Sequence, residues 1–234
     1  ISEGIKVEVI KQVLKLGTEY GSKRIQEQKN IILEFVSSNP TGPLHIGHGR
    51  HAAYGDSLAK LLRKAGHKVY TEYYVNDSGR QMNILALSVL IEILNLKGAS
   101  LSLPRVSYQG SYIEQVAKEI QNSIDVNFDN LLQNQGLKDS YPSCSEDEEI
   151  DKLISDFQNQ LGIENFDRFI DSISSLIVES IKKDLEKFGV FYNNWFSERE
   201  MINSGLVQKS IKHLNDNNLT YKKGGALWLK TMNF

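Results

Sequence analysis

The sequence predicts an α/β fold: a parallel sheet with crossover helices, carrying a helical insertion. Three observations lead there. From Asn30 onward, apolar β-rich runs alternate with helical patterns in the order β-α-β-α, which calls for parallel strands joined by right-handed crossovers. The polar turns at residues 37–47 and 76–79 fall where those strands end, and ligands of open parallel sheets collect at the carboxyl ends of strands. Downstream, Phe166, Ile170, Ile173, Ile177, Ile181, Leu185 and Phe188 step by three and four residues, a helical stripe suited to a core.

Taken in order, Ile5, Val9, Val13, Leu16 and Tyr20 mark an amphipathic helix over residues 5–20, and Gly21, Ser22 and the charged run Lys23 to Lys29 form a connector. Residues 1–29 are thus expected to be the tail of a preceding domain, or a docking helix, with its linker. The run Asn30 to Val36 reads as a buried strand, and Pro40 and Pro43 then bar both ladder pairing and an early helix, so a turn lies there. A helix from about Leu44 to Ala65 packs through Ala52, Ala53, Leu58, Ala59 and Leu62 and closes at Gly66. Lys68 to Val75 is a strand by its β-branched and aromatic residues, and Asn76-Asp77-Ser78-Gly79 turns the chain into a helix over Arg80 to Leu96, closed by Gly98. Residues 30–100 make the first half of the core.

Residues 101–190 read as the insertion. After a loop with Pro104 and Gly110 come a helix from Tyr112 to Leu132, an exposed linker from Asn134 to Glu149, and the long apolar stripe ended by Gly189. Residues 191–234 return to the core region: Val190 to Tyr192 is a candidate strand, Glu198 to Leu214 a helix, Asn215-Asp216-Asn217-Asn218 a turn, and Leu219 to Lys230 a β-hairpin about Gly224-Gly225.

Composition narrows the classes. With 40% hydrophobic and 24% charged residues and a net charge of −2, nothing basic in the balance advertises nucleic acid. The single cysteine, Cys144, excludes an internal disulfide and a cysteine-cluster zinc site, and fits a reducing compartment. No run approaches ~18 apolar residues and no secretory pattern opens the chain, so the cytoplasm is expected and a membrane is not. Beginning at Ile1 rather than Met, the chain is expected to be a piece of something longer.

The chemistry concentrates in residues 31–51. A strand, a kinked turn and a helix start offer free N–H groups and the positive end of a helix dipole to a phosphate. His45 and His48, three residues apart, add donors that can hydrogen-bond or, if protonated, charge-pair with a phosphate undergoing displacement at its phosphorus. Thr41, Gly42, Leu44, His45, Gly47, His48 and Gly49 are the nucleotide-contact candidates; Gly47 and Gly49 let a ligand approach the backbone. The spacing H-x-G-H is expected by chance only about 0.008 times in a chain of this composition. Arg50 can reach a phosphate or bridge along the helix surface. Glu34, within Ile-Ile-Leu-Glu-Phe-Val, needs water or a cation if its face is buried, because an unpaired buried carboxylate costs several kcal/mol. Asp77 is either a turn former or a ligand acid, and Glu198 either a first-turn acid or the same. Ser37 and Asn39 can position a substrate through short polar contacts. His67 and His213 sit at element ends without metal-ligand spacing, Cys144 has no base near it in sequence, and no metal site is expected.

Pro40-Thr41-Gly42-Pro43-Leu44-His45-Ile46-Gly47-His48 resembles the HIGH signature of class I aminoacyl-tRNA synthetases. The flanks Glu34-Phe35-Val36-Ser37-Ser38-Asn39-Pro40 and Glu72-Tyr73-Tyr74-Val75-Asn76-Asp77-Ser78-Gly79-Arg80-Gln81 are similar to the bacterial type of arginyl-tRNA synthetase, as are Trp195-Phe196-Ser197-Glu198 and Gly225-Ala226-Leu227-Trp228-Leu229. The resemblance runs from about residue 31 to the C-terminus. It implies an incomplete Rossmann-like parallel sheet, the class I catalytic core, with ATP and Mg²⁺ as cofactors and arginine, ATP and tRNA as partners. It also implies that Glu34, Asn39, Asp77 and Glu198 hold the amino acid; a guanidinium with five donors and an α-ammonium call for carboxylates. A monomer is expected, with tRNA contacts mostly outside these residues. The rivals are a glutamyl- or glutaminyl-type synthetase, for which a basic residue would be expected at Glu34, a nucleotidylyltransferase, and a non-enzymatic nucleotide-binding paralogue.

No KMSKS-like segment and no helical anticodon-binding domain is found in the 234 residues. The isolated chain is therefore expected to bind ATP weakly and to leave tRNA uncharged. Aminoacylation by this piece at the rate of a complete enzyme, measured with labelled arginine, would contradict that.

Overall fold

The computed structural model describes residues 2–22, 27–124, 128 and 146–233. In chain order the elements are α1 (Glu3–Leu16), β1 (Asn30–Glu34), α2 (Ile46–Lys64), β2 (Lys68–Val75), α3 (Arg80–Leu96), α4 (Ser111–Ser123), α5 (Glu146–Leu161), α6 (Ile163–Lys187), β3 (Asn194–Ser197), α7 (Glu198–Asn203), α8 (Leu206–Asp216), β4 (Thr220–Lys223) and β5 (Ala226–Leu229). Contacts divide the chain into two units. One comprises Ile1–Ser37, Leu44–Tyr73 and Lys183–Phe196, and the other Ser38–Pro43, Tyr74–Lys182 and Ser197–Phe234.

The first unit is organised by the sheet, in the order β1-β2-β3. β1 and β2 pair in parallel with Asn30 opposite Lys68 and Glu34 opposite Glu72, as the β-α-β pattern requires. β2 buries Val69, Thr71 and Tyr73 and leaves Lys68 and Tyr70 outward, the alternation of a strand with one covered face. Beside it, Asn193 acts as a backbone surrogate: its Oδ1 accepts from the Thr71 N–H at 2.8 Å and its own N–H donates to the Thr71 carbonyl at 2.9 Å. Tyr73 stacks on Trp195 with centroids 4.3 Å apart, and Tyr192 meets Tyr73 edge-on at 5.4 Å. The closest packing is between the Phe35 side chain and α2 at Gly55, where an added Cβ would lie 2.1 Å from the Phe35 ring.

In the second unit α3 is the centre. Its sequence is apolar nearly all round, and residues from Met82 to Leu94 are largely buried, as expected of a helix enclosed by neighbours. It packs against α4 and α5. Ser88, fully buried on α3, is satisfied twice over: its hydroxyl donates to the Ile84 carbonyl at 2.8 Å and accepts from the Tyr108 N–H at 3.0 Å. β4 and β5 form the expected hairpin, with Gly224 (φ 59) and Gly225 (φ 79) supplying the left-handed turn residues.

Several expectations are corrected. β1 stops at Glu34 instead of running to Val36, because Val36 (φ 66) and Ser37 (φ 39) leave the extended region; its burial alternates, with Ile32 71% exposed, so it is not a fully buried strand. The third strand is Asn194–Ser197 and not Val190 to Tyr192. The helix expected over Glu198 to Leu214 is two helices, broken where Gly205 adopts φ 73. The acids at 146–149 open α5 in place of closing a linker, consistent with negative charge at a helix start. Phe188, at the end of the otherwise buried stripe, lies beyond α6 and is 58% exposed. No residue of α1 is buried, so its apolar stripe covers no core here. The helix expected over Tyr112 to Leu132 is α4, which ends at Ser123 because Ile124 turns extended (φ -120, ψ 142); residues 125–127 and 129–145, and with them most of the linker and Cys144, lie outside the described residues. Among the described residues no helix is long and apolar enough to cross a membrane.

Gly55→Ala is expected to destabilise by about 2 kcal/mol or more, since the clash falls on the inner end of an aromatic ring that cannot swing aside. Gly49→Ala, on the same helix with open space at its Cβ, is expected to cost nothing. Denaturant midpoints of the two variants check the contrast.

Candidate active site

Helix α2 begins in an unusual way. His45 is its N-cap, in extended conformation, and the His45 Nδ1 accepts from the Gly47 N–H at 3.1 Å. In return the His48 Nδ1 accepts from the His45 N–H at 3.2 Å, a capping box built from two imidazoles in place of a hydroxyl and a carboxylate. The rings stack with centroids 3.7 Å apart. A nitrogen that accepts from a backbone N–H carries no proton, so this geometry assigns the ring hydrogen of each to Nε2. The His48 pKa is lowered, first by burial and then by the charges of His45 and His51, which favours its neutral form.

Two expectations change as a result. Three of the first-turn donors that were to face a phosphate are already engaged, since the His48 and Gly49 N–H groups donate to the His45 carbonyl and the Gly47 N–H to the His45 ring. Each ring uses its Nδ1 in the cap, which leaves Nε2 as the ring nitrogen not engaged by the helix start. Gly47 has a role the spacing did not reveal: a Cβ there would lie 2.9 Å from the His45 Cε1, so only glycine lets the ring fold back to cap the helix. Gly49 meets nothing within 4 Å.

The strand end leading to this helix is held by Tyr192. The Phe35 carbonyl accepts from the Tyr192 hydroxyl at 3.0 Å and from the Ser37 N–H at 3.0 Å, which closes the tight turn through Val36. Burial, with smaller contributions from Tyr73 and Asp56, raises the Tyr192 pKa, so it remains a donor. Glu34 is exposed and shares its face with the exposed Ile32, so the penalty that argued for a buried counter-cation does not arise. Its carboxylate has no partner among the described residues, and Ser37, three residues on, is half-buried.

In the other unit, the turn at residues 38–43 is gripped from two sides. The Asn39 Nδ2 donates to the Gln81 Oε1 at 2.6 Å, and the Tyr112 hydroxyl donates to the Thr41 carbonyl at 2.9 Å. The Tyr112 ring lies against Gly42, where a Cβ would be 3.2 Å from its Cζ. Burial, then the charge of Tyr108, pushes the Tyr112 hydroxyl up to about 12. Asp77 is fully occupied: its Oδ2 accepts from the Ser197 hydroxyl at 2.6 Å and its Oδ1 from the Arg199 N–H at 2.9 Å. The Arg199 guanidinium donates to the Asp77 carbonyl at 3.3 Å and pairs with Asp171 at 3.0 Å and Asp167 at 3.8 Å. Glu198, between Ser197 and Arg199 in sequence, is half-buried and its carboxylate has no partner among the described residues. Gln81, Tyr112, Tyr192, Ser197 and Arg199 were not singled out from sequence, because each acts on a residue 42 or more positions away. Arg50 and His213 are exposed, and the His67 Nδ1 accepts from the Lys29 N–H.

The catalytic-domain family of class I tRNA synthetases (R) matches residues 9–234. A Legionella pneumophila protein named arginine–tRNA ligase is 39% identical over 237 residues, covering 97% of this chain and 39% of its own length. A Coxiella burnetii protein of the same name is 38% identical, with 98% and 40% covered. A Campylobacter jejuni crystal structure described as an arginyl tRNA synthetase superposes with a TM-score of 0.71 at 27% identity, covering all of this chain and 44% of that one. The chain thus spans about two fifths of the length of the curated relatives it matches.

The imidazole cap makes stability depend on pH. The folded-state His48 pKa lies below its ordinary 6.5, so the unfolded chain binds more protons just under that value; the contribution is full above pH 6.5 and is lost as pH falls through the folded pKa. A thermal midpoint that declines below pH 6.5 is expected, with a flatter decline in His48→Gln, where glutamine caps without titrating. Gly47→Ala is expected to lower the midpoint at pH 8 by displacing the His45 ring.

Proposed function

Because the chain belongs to the class I tRNA synthetase (R) catalytic-domain family, we propose that it forms part of the active site of an arginine–tRNA ligase. In this reading the arginine carboxylate attacks the α-phosphate of ATP, giving arginyl-adenylate and releasing pyrophosphate. The arginyl group then passes to the terminal ribose of its tRNA.

The observation that carries the reading is the stacked imidazole pair that caps α2. Two Nε2–H donors fixed by backbone hydrogen bonds pay no reorganisation as charge grows on the phosphate oxygens, which is how preorganised dipoles lower a barrier. Thr41, Gly42, Leu44, Gly47 and Gly49 shape the nucleotide's path along the turn and helix start. The family resemblance assigns Glu34, Ser37, Asn39 and Glu198 to arginine, and each of the two glutamates, taken within its own unit, has a carboxylate without a partner among the described residues, as a residue reserved for a cationic group would. The Asn39 amide nitrogen is engaged by Gln81, leaving its carbonyl oxygen for an ammonium.

Among the described residues no three His, Cys, Asp or Glu side chains cluster to hold a metal ion. Mg²⁺ enters the proposal only as the ion that accompanies ATP, and no step is routed through it. An ATP-consuming reaction and a chain with one cysteine fit the cytoplasm.

The test is amino-acid-dependent exchange of pyrophosphate into ATP by the complete protein, with and without tRNA, across all twenty amino acids. Arginine alone should support it. His48→Gln, which keeps the capping geometry but removes the imidazole donor, should lower kcat about a hundredfold or more with the thermal midpoint at pH 8 little changed. Exchange supported by glutamate or glutamine in place of arginine would reject the reading.

A further inference from the structure

We propose that Asp77 is a positioning residue for Glu198 and makes no contact with substrate through its charge. Resemblance alone placed both acids in the amino-acid pocket, yet they stand in opposite states. Both Asp77 oxygens are engaged, and the two partners are the residues on either side of Glu198. Ser197 is held through its hydroxyl at 2.6 Å and Arg199 through its backbone N–H at 2.9 Å. The turn after β2 therefore fixes the main chain immediately before and after Glu198, which fixes the direction in which that side chain leaves the helix. The same contacts cap α7: the Ser197 hydroxyl, while donating to Asp77, accepts from the Glu200 N–H at 3.0 Å, so the first turn is locked to the turn at Asp77.

The Arg199 side chain braces this arrangement from behind. Its Nε–H donates to the Asp77 carbonyl, and its outer nitrogen pairs with Asp171 and, more distantly, Asp167, one turn apart on α6. A guanidinium spans a carbonyl and a carboxylate at once, which an ammonium does not do with fixed geometry. Asp77 is thus surrounded by donors already supplied by the protein, while Glu198 retains an unspent charge.

This inference rests on the reading that Glu198 receives a cationic group of arginine, and the two are separable by experiment. In the complete protein, arginine KM, ATP KM and kcat for pyrophosphate exchange are measured for Glu198→Gln, Asp77→Ala and Asp77→Asn, together with hydrogen exchange of the amides at 199 and 200. Glu198→Gln should raise the arginine KM about tenfold or more with the ATP KM unchanged. Asp77→Ala should do the same and should speed exchange at the Arg199 amide. Asp77→Asn retains an acceptor for that amide and a donor for the Ser197 hydroxyl, so it should restore both the protection and an arginine KM within about threefold of the unaltered protein. An Asp77→Asn protein with protected amides but an arginine KM as poor as that of Asp77→Ala would overturn the proposal in favour of direct charge contact. Unchanged amide exchange in Asp77→Ala would overturn the latch itself. An unchanged arginine KM in Glu198→Gln would instead overturn the reading of Glu198, while the exchange data still decide whether Asp77 holds its backbone.

Discussion

The parallel ladder between β1 and β2 is the constraint from which the rest of the first unit follows. It runs in register from Asn30 and Lys68 to Glu34 and Glu72 and then ends abruptly. Val36 and Ser37 turn into the left-handed region, an arrangement that a β-branched residue adopts only at a cost of about 1–3 kcal/mol unless its surroundings impose it. Those surroundings are visible. The Phe35 carbonyl is held by Tyr192, and the Phe35 ring fills the space that a side chain at Gly55 would otherwise take. Strand end, helix α2 and the aromatic cluster of Tyr73, Tyr192 and Trp195 are thereby one packed assembly, and α2 starts where that assembly delivers it.

At that start, the protein solves a general problem with an unusual pair of side chains. Every helix must satisfy its first N–H groups, and hydroxyls or carboxylates usually do so. Here imidazoles do it, each using the nitrogen that has no proton and leaving Nε2–H outward. The cap therefore chooses the tautomer, and burial of His48 reinforces the neutral state. A donor whose orientation is set by backbone hydrogen bonds needs no rearrangement when a phosphate becomes more negative, so under the proposed function the same two bonds would meet a structural requirement and a catalytic one.

In the second unit, α4 and the first part of α6 are more than spacers. Tyr112 on α4 holds the Thr41 carbonyl and backs Gly42, and the acids of α6 hold Arg199. Two loops whose sequences resemble synthetase motifs are in this way pinned by helices that carry no motif. The distinction that matters for function is between polar groups already satisfied within the fold and those left open. Asp77 belongs to the first kind; Glu34 and Glu198 belong to the second.

The sequence by itself determined the β-α-β-α order, the parallel pairing, the hairpin at Gly224-Gly225 and the family motif around His45 and His48, because these depend on side-chain period, turn chemistry and neighbours a few residues apart. Exposure of Glu34 was open at that level, since alternation with Ile32 indicates a shared face but not whether anything covers it. The roles of Gly55, Tyr112, Tyr192, Ser197 and Arg199 could not be read from the chain, and neither could the tautomer of the two histidines. Each is fixed by a contact in space: a ring pressed on a helix backbone, a hydroxyl reaching a distant carbonyl, a carboxylate joining the residues on either side of another acid. Local pattern selects the elements and marks the chemistry, but only packing decides which donors and acceptors are used up within the protein and which remain for a ligand.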